Sequence, residues 1–287
     1  MAKLNPYYGL CPLVDHKNFI GVSKDIEHGH VLVTQGKNIA IKYKLSNQKQ
    51  IQSWRTKDKF TSPVIFDKKE DKYIAVFNGT TLRLWSQNDT ENLDKIKKFK
   101  FAKPIYTLIN IIDTTYLIFE NGNIFTLRDA LDQRKDLVLK DIININNEKI
   151  IDIRYILVED NIYIALIVET KSTTNCLLVS FPNNFPQTSY HTIELKRVNL
   201  NLAGYAFCLM YDKYLCFLTL WSDGRLYSYL VAGPRNQEMQ DNYTEEFGVV
   251  FANIESISCE QNVAMTPLGS DHVAIYGAEC NQEVGGT

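Results

Sequence analysis

Two histidines set two positions apart, His28 and His30, are the first candidates for chemistry in this 287-residue chain. In a strand this spacing places both imidazoles on one face, as two ligands of a metal ion would require. The sequence places no third ligand nearby, and a Gly-His step is also common where a strand begins. We therefore predict no metal site and interpret the pair as structural.

Acidic residues recur in phase along the chain, each shortly before an apolar run. Paired carboxylates can act as general acid and base. A residue type that recurs once per repeat is better explained by structure, because a carboxylate can accept backbone N–H groups in a turn. The sequence also lacks a phosphate-binding glycine loop and a nucleophile elbow. We predict no catalytic residue, no cofactor and no enzymatic activity. The recurring acids are Asp71, Asp113, Asp160, Asp212 and Asp271.

The densest basic segment of the chain is KIKKFKFAK, which runs from Lys95 to Lys103. A single strand here would place on one face Lys95, Lys97, Phe99 and Phe101. Lysines interleaved with aromatic rings can contact an RNA backbone and its bases. The same lysines could instead protect the edge of a sheet from pairing. The candidate contact residues for RNA or an acidic partner are Lys95, Lys97, Lys98, Lys100 and Lys103.

Composition limits the class of protein that must position these residues. Hydrophobic residues make up 45% and charged residues 22% of the chain, as in folded globular proteins. The net charge of −2 argues against an electrostatic grip on nucleic acid by the whole domain. The longest apolar run, from Ile162 to Val168, is far shorter than a membrane helix. We expect a soluble intracellular protein with free, mostly buried cysteines.

Turn signals recur along the chain at Gly36, Gly79, Gly122 and Gly224, each between two apolar runs. Glycine and its asparagine or aspartate neighbours accept the positive φ that a tight β-hairpin requires. The first two intervals are 43 residues each and the third is 102. This spacing predicts one further turn near residue 173.

The strands after these turns carry equally regular apolar anchors, which are Tyr43, Trp85, Phe125, Val179 and Tyr227. A period of roughly 40–50 residues with four short strands per unit is typical of a β-propeller blade. The sequence therefore predicts an all-β, WD40-like β-propeller. A pair of β-sandwiches would account for the strands but not for their even phase. The predicted blades are five, with two strands of a sixth, at 19–55, 60–101, 104–149, 150–199, 203–258 and 263–277.

The predicted domain plan is an N-terminal lead-in over 1–18, a propeller over 19–277 and an irregular tail over 278–287. Because the sixth blade stops after two strands, we expect an incomplete ring and a fragment of a longer protein. The best helix candidate is Leu127–Leu139. Alternation within the inner strands predicts a buried core that includes Ile39, Ile41, Leu82, Leu84, Ile164, Leu166, Leu215 and Phe217.

Four segments of the chain match one known pattern of residues: His30–Trp54, Tyr73–Lys95, Tyr116–Leu127 and Asn262–Gly277. They resemble the nucleolar protein 11 family, whose members are components of the small-subunit processome. The stretches YKLSNQK and LRLW with the later NLDK are the most specific, because propeller packing alone does not dictate their polar residues.

The resemblance implies a nuclear, nucleolar scaffold without enzymatic activity. It implies support of rDNA transcription and of the processing of pre-rRNA to 18S rRNA in ribosome biogenesis. The implied partners are other processome subunits and, through the lysine segment, pre-rRNA, with no membrane and no small-molecule substrate. A second function stays open: a generic WD40-like adaptor for protein–protein interaction in another complex, since repeat architecture permits either role.

Overall fold

The computed structural model divides the chain into two compact units, residues 1–145 and 146–287. Each unit is described by itself. The structure describes residues 19–35, 38–89, 91–132, 145, 148–171, 173–182, 191–195, 200–210, 214–232, 249–253, 264–267 and 273–276.

The first unit contains three antiparallel sheets whose strands follow one another in chain order. The first sheet consists of β1 (Phe19–Asp25), β2 (His30–Gln35), β3 (Ile39–Lys44) and β4 (Gln50–Arg55). The second consists of β5 (Ile65–Asp67), β6 (Lys72–Phe77), β7 (Thr81–Trp85) and β8 (Lys98–Lys100). The third consists of β9 (Ile105–Ile111), β10 (Thr114–Phe119) and β11 (Ile124–Thr126), and helix α1 (Leu127–Asp132) follows it.

The second unit repeats the same arrangement with longer strands. Its first sheet consists of β12 (Lys149–Val158), β13 (Asn161–Glu169), β14 (Thr174–Pro182) and β15 (His191–Leu195). Its second consists of β16 (Leu202–Met210), β17 (Tyr214–Trp221), β18 (Arg225–Ala232) and β19 (Val249–Asn253). The strands β20 (Ala264–Pro267) and β21 (Val273–Tyr276) pair with each other.

These antiparallel meanders of consecutive strands confirm the predicted all-β class and its propeller-type blades. Each predicted blade from 19–55 to 263–277 contains one of the observed sheets. The sheet of the third predicted blade, 104–149, has three strands among the described residues, and residues 133–144 of that blade lie outside them. The lead-in over 1–18 and the tail over 278–287 lie outside them as well, and the number of blades stays a prediction.

The turn predictions are confirmed wherever the structure describes them. Gly79, Gly122 and Gly224 have φ values of 74°, 85° and 81°, and each joins the second and third strands of its sheet. Gly36 lies outside the described residues, but Asn38 in the same hairpin has a φ of 68°. The turn expected near residue 173 connects β13 to β14.

The recurring aspartates lie directly before second strands, as predicted at Asp71, Asp113 and Asp160. Asp212 and Asp271 lie outside the described residues. We expected each recurring aspartate to accept backbone N–H groups in its turn. At Asp71 this prediction is wrong, and the residue instead takes up the positive φ of 51° that the turn requires. In that turn the backbone N–H of Glu70 donates to Asp67 Oδ1 at 2.8 Å. Aspartate suits the position because it tolerates the left-handed region better than most residues do.

The hydrophobic core lies between neighbouring sheets of each unit. In the first unit, one cluster joins the first two sheets around Trp54, Tyr73 and Trp85, and a second joins the second and third sheets around Leu82, Leu117 and α1. In the second unit, Leu215, Phe217 and Trp221 belong to a cluster shared by its two four-stranded sheets. Each sheet therefore buries its faces by stacking on the next one, as propeller blades do.

The predicted core positions in β7, β13 and β17 are buried, except that Leu84 is half-buried against the core. The prediction for β3 is wrong by one residue. There Ala40 and Lys42 are buried, and Ile39 and Ile41 are only half-buried. Lys42 explains why the buried face of β3 is shifted by one residue. Its apolar stem is buried, and its Nζ lies 5.6 Å from the Trp54 ring centroid and 5.1 Å from the Tyr73 ring centroid.

Candidate functional site

The predicted lysine segment does not form one strand. A 3₁₀ turn covers Leu93–Lys95, and β8 begins only at Lys98. Asn92 caps this turn, since its side chain accepts from the Asp94 N–H at 3.0 Å. The predicted face shared by Lys95, Lys97 and the two phenylalanines is therefore wrong.

The aromatic residues of this segment belong to the core and not to the surface. Phe101 is buried, and Phe99 packs against the same cluster between the second and third sheets. Because strand residues alternate between faces, Lys98 and Lys100 point outward on either side of Phe99. The Lys97 ammonium lies 5.1 Å from the Phe99 ring centroid. The segment thus offers positive charge, but its rings are already occupied and form no stacking platform for bases.

Two lysines from the linker between β4 and β5 join the segment in space. The backbone N–H of Lys57 donates to Asp94 Oδ1 at 3.0 Å, directly beside Lys95 in the 3₁₀ turn. The backbone N–H of Lys59 donates to Asn78 Oδ1 at 3.0 Å. Both lysines are exposed. We call the resulting group the basic surface; its members are Lys57, Lys59, Lys95, Lys97, Lys98, Lys100 and Lys103.

A buried arginine, Arg83 on β7, holds this surface together. Its side chain is fully buried and forms ion pairs with Asp58 and Asp94. One terminal nitrogen also donates to Thr56 Oγ1 at 2.9 Å and to the Leu93 carbonyl at 3.1 Å. The guanidinium carbon lies 4.4 Å from the Phe77 ring centroid. Arg83 therefore fixes the linker and the 3₁₀ turn against the second sheet.

The two aspartates within the basic surface are neutralised locally. A hydrogen bond from Lys98, at 3.0 Å, lowers the pKa of Asp58, and Asn78 and Arg83 lower it further. The Lys57 backbone N–H lowers the pKa of Asp94, with help from Thr56 and Arg83. Both carboxylates are thus ionised and paired at neutral pH, so the exposed lysines determine the sign of the potential there.

The histidine pair belongs to a separate cluster between the first two sheets, in which Asp25 is buried, His30 is half-buried and His28 is exposed. His28 Nδ1 lies 3.0 Å from Asp25 Oδ1, and the two imidazoles stack with centroids 5.9 Å apart. Tyr73 Oη donates to Asp25 Oδ2 at 3.1 Å, and Lys42 Nζ donates to Tyr73 Oη at 3.4 Å. Burial lowers the pKa of Lys42. Among the residues the structure describes, no group of His, Cys, Asp and Glu is arranged to hold a metal ion.

Sequence reasoning missed Lys57, Lys59 and Arg83. The lone arginine in the otherwise apolar run TLRLW was the available signal, because a charged residue between buried positions needs partners nearby. Nothing in the sequence marks the linker lysines; the Lys57 N–H reaches Asp94 across 37 positions of the chain. None of the described helices is long and apolar enough to cross a membrane.

Stacked antiparallel meanders with side chains packed between them define an all-β, propeller-type protein. A family model described as the nucleolar protein 11 N-terminal domain matches residues 1–286. The chain belongs to that family.

Individual relatives are similar over nearly the whole chain. Nucleolar protein 11 of Pongo abelii is 25% identical over 288 residues, which cover 97% of this chain and 39% of the relative. Nucleolar protein 11 of Bos taurus is 25% identical over 266 residues, which cover 90% of this chain and 36% of the relative. The chain thus spans less than half the length of these relatives.

Two solved structures are also similar to the chain, each at 12% sequence identity. BamB from Moraxella catarrhalis has a TM-score of 0.43 and covers 87% of this chain and 77% of its own. The β-propeller domain of Cps50 (Swd1) from Myceliophteria thermophila has a TM-score of 0.35. The match covers 76% of this chain and 89% of that domain. At these TM-scores neither similarity defines the fold, which rests on the sheets described above.

Proposed function

We propose that this chain is part of a nucleolar ribosome-biogenesis factor and serves there as a non-enzymatic scaffold of the small-subunit processome. The observation that supports the proposal is the family match over residues 1–286, together with relatives that bear the name nucleolar protein 11. In this role the protein supports rDNA transcription and the processing of pre-rRNA to 18S rRNA, and its partners are other processome subunits.

The basic surface gives this scaffold a contact with pre-rRNA. The buried Arg83 fixes the linker and the 3₁₀ turn that carry several of these lysines. Asp58, Asp94 and Thr56, which support the lysines, therefore need little further ordering when a phosphate binds. The packing of Phe99 and Phe101 in the core favours contacts to the sugar–phosphate backbone. Such binding is tolerant of sequence and strongly dependent on salt.

The test uses the full-length protein in cells depleted of the endogenous copy. A rescue variant carries Lys57→Glu, Lys95→Glu, Lys97→Glu and Lys100→Glu. A control with half as many reversals carries Lys149→Glu and Lys171→Glu, at two exposed lysines of the second unit. The readouts are location, co-purified processome subunits, crosslinked pre-rRNA and the level of 18S precursors.

We expect the wild type and the control to be nucleolar and to restore 18S rRNA. The basic-surface variant should remain in the processome but lose most of its crosslinks to pre-rRNA. Crosslinks that persist in that variant would refute the RNA contact. A cytoplasmic protein that recovers none of the processome would refute the scaffold role and favour the generic adaptor.

A further inference from the structure

Two buried cysteines stand directly opposite each other on neighbouring strands of the second unit. Cys208 on β16 and Cys216 on β17 are register partners in the antiparallel ladder, so both side chains point to the same face of the sheet. The adjacent pair, Phe207 and Phe217, has ring centroids 4.9 Å apart on the other face, as this register requires. The two thiols are therefore immediate neighbours.

This placement meets the geometric requirement for a disulfide. Opposite residues of an antiparallel pair have Cα atoms about 4.5 or 5.5 Å apart, depending on their hydrogen bonding. A disulfide spans Cα separations of about 4.4–6.8 Å, so either kind of pair allows the bond. The sheet holds opposite Cβ atoms about 4.5–5.5 Å apart, whereas a disulfide prefers about 3.8 Å. A bond between these cysteines would therefore be strained, and strained disulfides are the more easily reduced ones.

The ladder on the other side of Cys216 is interrupted. The register between β17 and β18 shifts between Leu215 and Cys216. An irregularity of this kind disrupts the ladder locally and lets the strand bend. Cys208 is 3% exposed and Cys216 is 5% exposed, so a small oxidant reaches them only when the strands open. The interrupted ladder lowers the cost of that opening.

The surroundings of Cys216 differ from those of Cys176, which is buried too. Burial raises the pKa of the Cys216 thiol, and a hydrogen bond with Ser228 opposes that rise. Burial alone raises the pKa of the Cys176 thiol. Cys176 also has no thiol opposite it, because its register partners are Ile167 and Leu195. Since the thiolate is the form that peroxide oxidises, we expect Cys216 to react before Cys176.

We propose that Cys208 and Cys216 form an oxidation site, at which hydrogen peroxide joins the two thiols in a reversible disulfide. The bond ties β16 to β17 beside the interrupted ladder, so the oxidised sheet opens less readily there than the reduced sheet. The site lies in the second unit and does not rest on the function proposed above.

The reaction consumes one molecule of hydrogen peroxide. The Cys216 thiolate attacks one peroxide oxygen, the O–O bond breaks, and a sulfenic acid forms together with hydroxide, which takes up the proton that Cys216 released. The Cys208 sulfur then attacks the Cys216 sulfur and displaces the hydroxyl group, which leaves as water with the Cys208 proton. The two thiols lose two electrons and two protons, and the peroxide becomes two molecules of water. Two molecules of glutathione reverse the oxidation by thiol–disulfide exchange.

Peptide mapping of the purified 287-residue chain tests this proposal without any substitution. The reduced chain is treated with hydrogen peroxide, its remaining thiols are blocked with N-ethylmaleimide, and it is then unfolded and digested with trypsin. Lys213 separates the two cysteines, which therefore fall on the peptides 198–213 and 214–225. We expect these two peptides to be linked in the main disulfide product, with a mass below their sum by two hydrogen atoms. Glutathione should restore both free peptides, and Cys176 should stay unlinked.

A matched variant moves one thiol to the other face of the sheet and keeps the number of cysteines. In Cys208→Ala with Leu209→Cys, the new thiol points away from Cys216, so the yield of linked peptides should fall about tenfold. The proposal is overturned if peroxide leaves the wild-type thiols free or takes them to sulfinic acid without linking them. It is also overturned if glutathione fails to release the peptides, if either thiol links mainly to another cysteine, or if the variant links as much as the wild type.

Discussion

The two ends of the first unit are each held by one cation between two carboxylates, yet the two arrangements differ in burial. At the basic surface, Arg83 is fully buried and bonds to Asp58, Thr56 and a backbone carbonyl. At the opposite end, which we call the turn end, the β1–β2, β5–β6 and β9–β10 turns emerge. There Lys68 is half exposed and lies 3.9 Å from each of two half-exposed acids. Water screens the second arrangement more than the first, because the Arg83 side chain is fully buried and its two carboxylate partners are 24% exposed. The basic end is therefore preorganised by a buried charge, whereas the ion pairs of the turn end are exposed to water.

The largest expected effect is the loss of the Arg83 arrangement. Arg83→Met leaves Asp58 and Asp94 without their buried partner, which should lower the free energy of unfolding by about 3 kcal/mol. The matched variant Lys68→Met should cost less than about 1 kcal/mol, because exposed ion pairs contribute little. Urea unfolding followed by tryptophan fluorescence measures both. Equal costs for the two variants would show that the contrast between the ends is wrong.

The second expected effect concerns the salt dependence of RNA binding. The fourfold reversal at Lys57, Lys95, Lys97 and Lys100 should weaken binding of a single-stranded RNA oligonucleotide about 100-fold at low salt. The slope of log K against log salt should become shallower by about 3, since each phosphate contact on a single strand contributes about 0.7. The Lys149→Glu and Lys171→Glu control should keep the wild-type slope. An unchanged slope in the reversal variant would place the RNA contact elsewhere.

A third effect concerns backbone strain at the turn end, where Ile112, between β9 and β10, has a φ of 55°. Ile112→Gly should raise the free energy of unfolding by about 1 kcal/mol, because it relieves a β-branched residue held at positive φ. Glu159→Gly, in the equivalent turn of the second unit, should gain less, since its side chain is unbranched at Cβ. Thermal melts of the two variants compare them. A destabilised Ile112→Gly would mean that the isoleucine serves the fold.

Local signals explain how much of this fold could be predicted from the sequence. A hairpin needs a residue that accepts positive φ between two apolar runs, and Gly79, Gly122 and Gly224 provide it within a few positions. The regular spacing of these turns along the chain was enough to predict the strands and their order. The core of β3 was missed because its buried face includes Lys42, a residue that alternation rules count as exposed.

The candidate site was only half predictable, for a reason of distance along the chain. Lys95 to Lys103 are contiguous and therefore visible. Their neighbours Lys57 and Lys59 depend on Asp94 and Asn78, which lie far along the sequence, and on a guanidinium buried in β7. Turn strain at Ile112 is equally invisible, because the sequence gives no sign that an isoleucine occupies a glycine position.

The smallest expected effect is a pH dependence in the histidine cluster, which lies beside the β1–β2 turn. Burial lowers the pKa of His30, and the charge of Lys42 lowers it further, while Asp25 opposes both. The unfolded chain therefore binds a proton at His30 near pH 6.5, and the folded chain binds it only at lower pH. Stability from this group is complete above pH 6.5 and is lost as the pH falls through that value toward the folded pKa.

The measurement is the urea midpoint of the wild type and of His30→Asn at pH 7.5 and at pH 5.5. Asn keeps a polar side chain beside Asp25 but cannot titrate, so the drop between the two pH values should be smaller in the variant. Asp25, His28, Lys42 and Tyr73 face the same cluster, and the comparison with Asn cancels their common contribution. A variant whose midpoint falls as far as that of the wild type would mean that His30 keeps its ordinary pKa in the folded chain. The acidic loss of stability would then belong to other groups, among them Asp58 and Asp94 of the basic surface, whose lowered pKa values place their effect at lower pH.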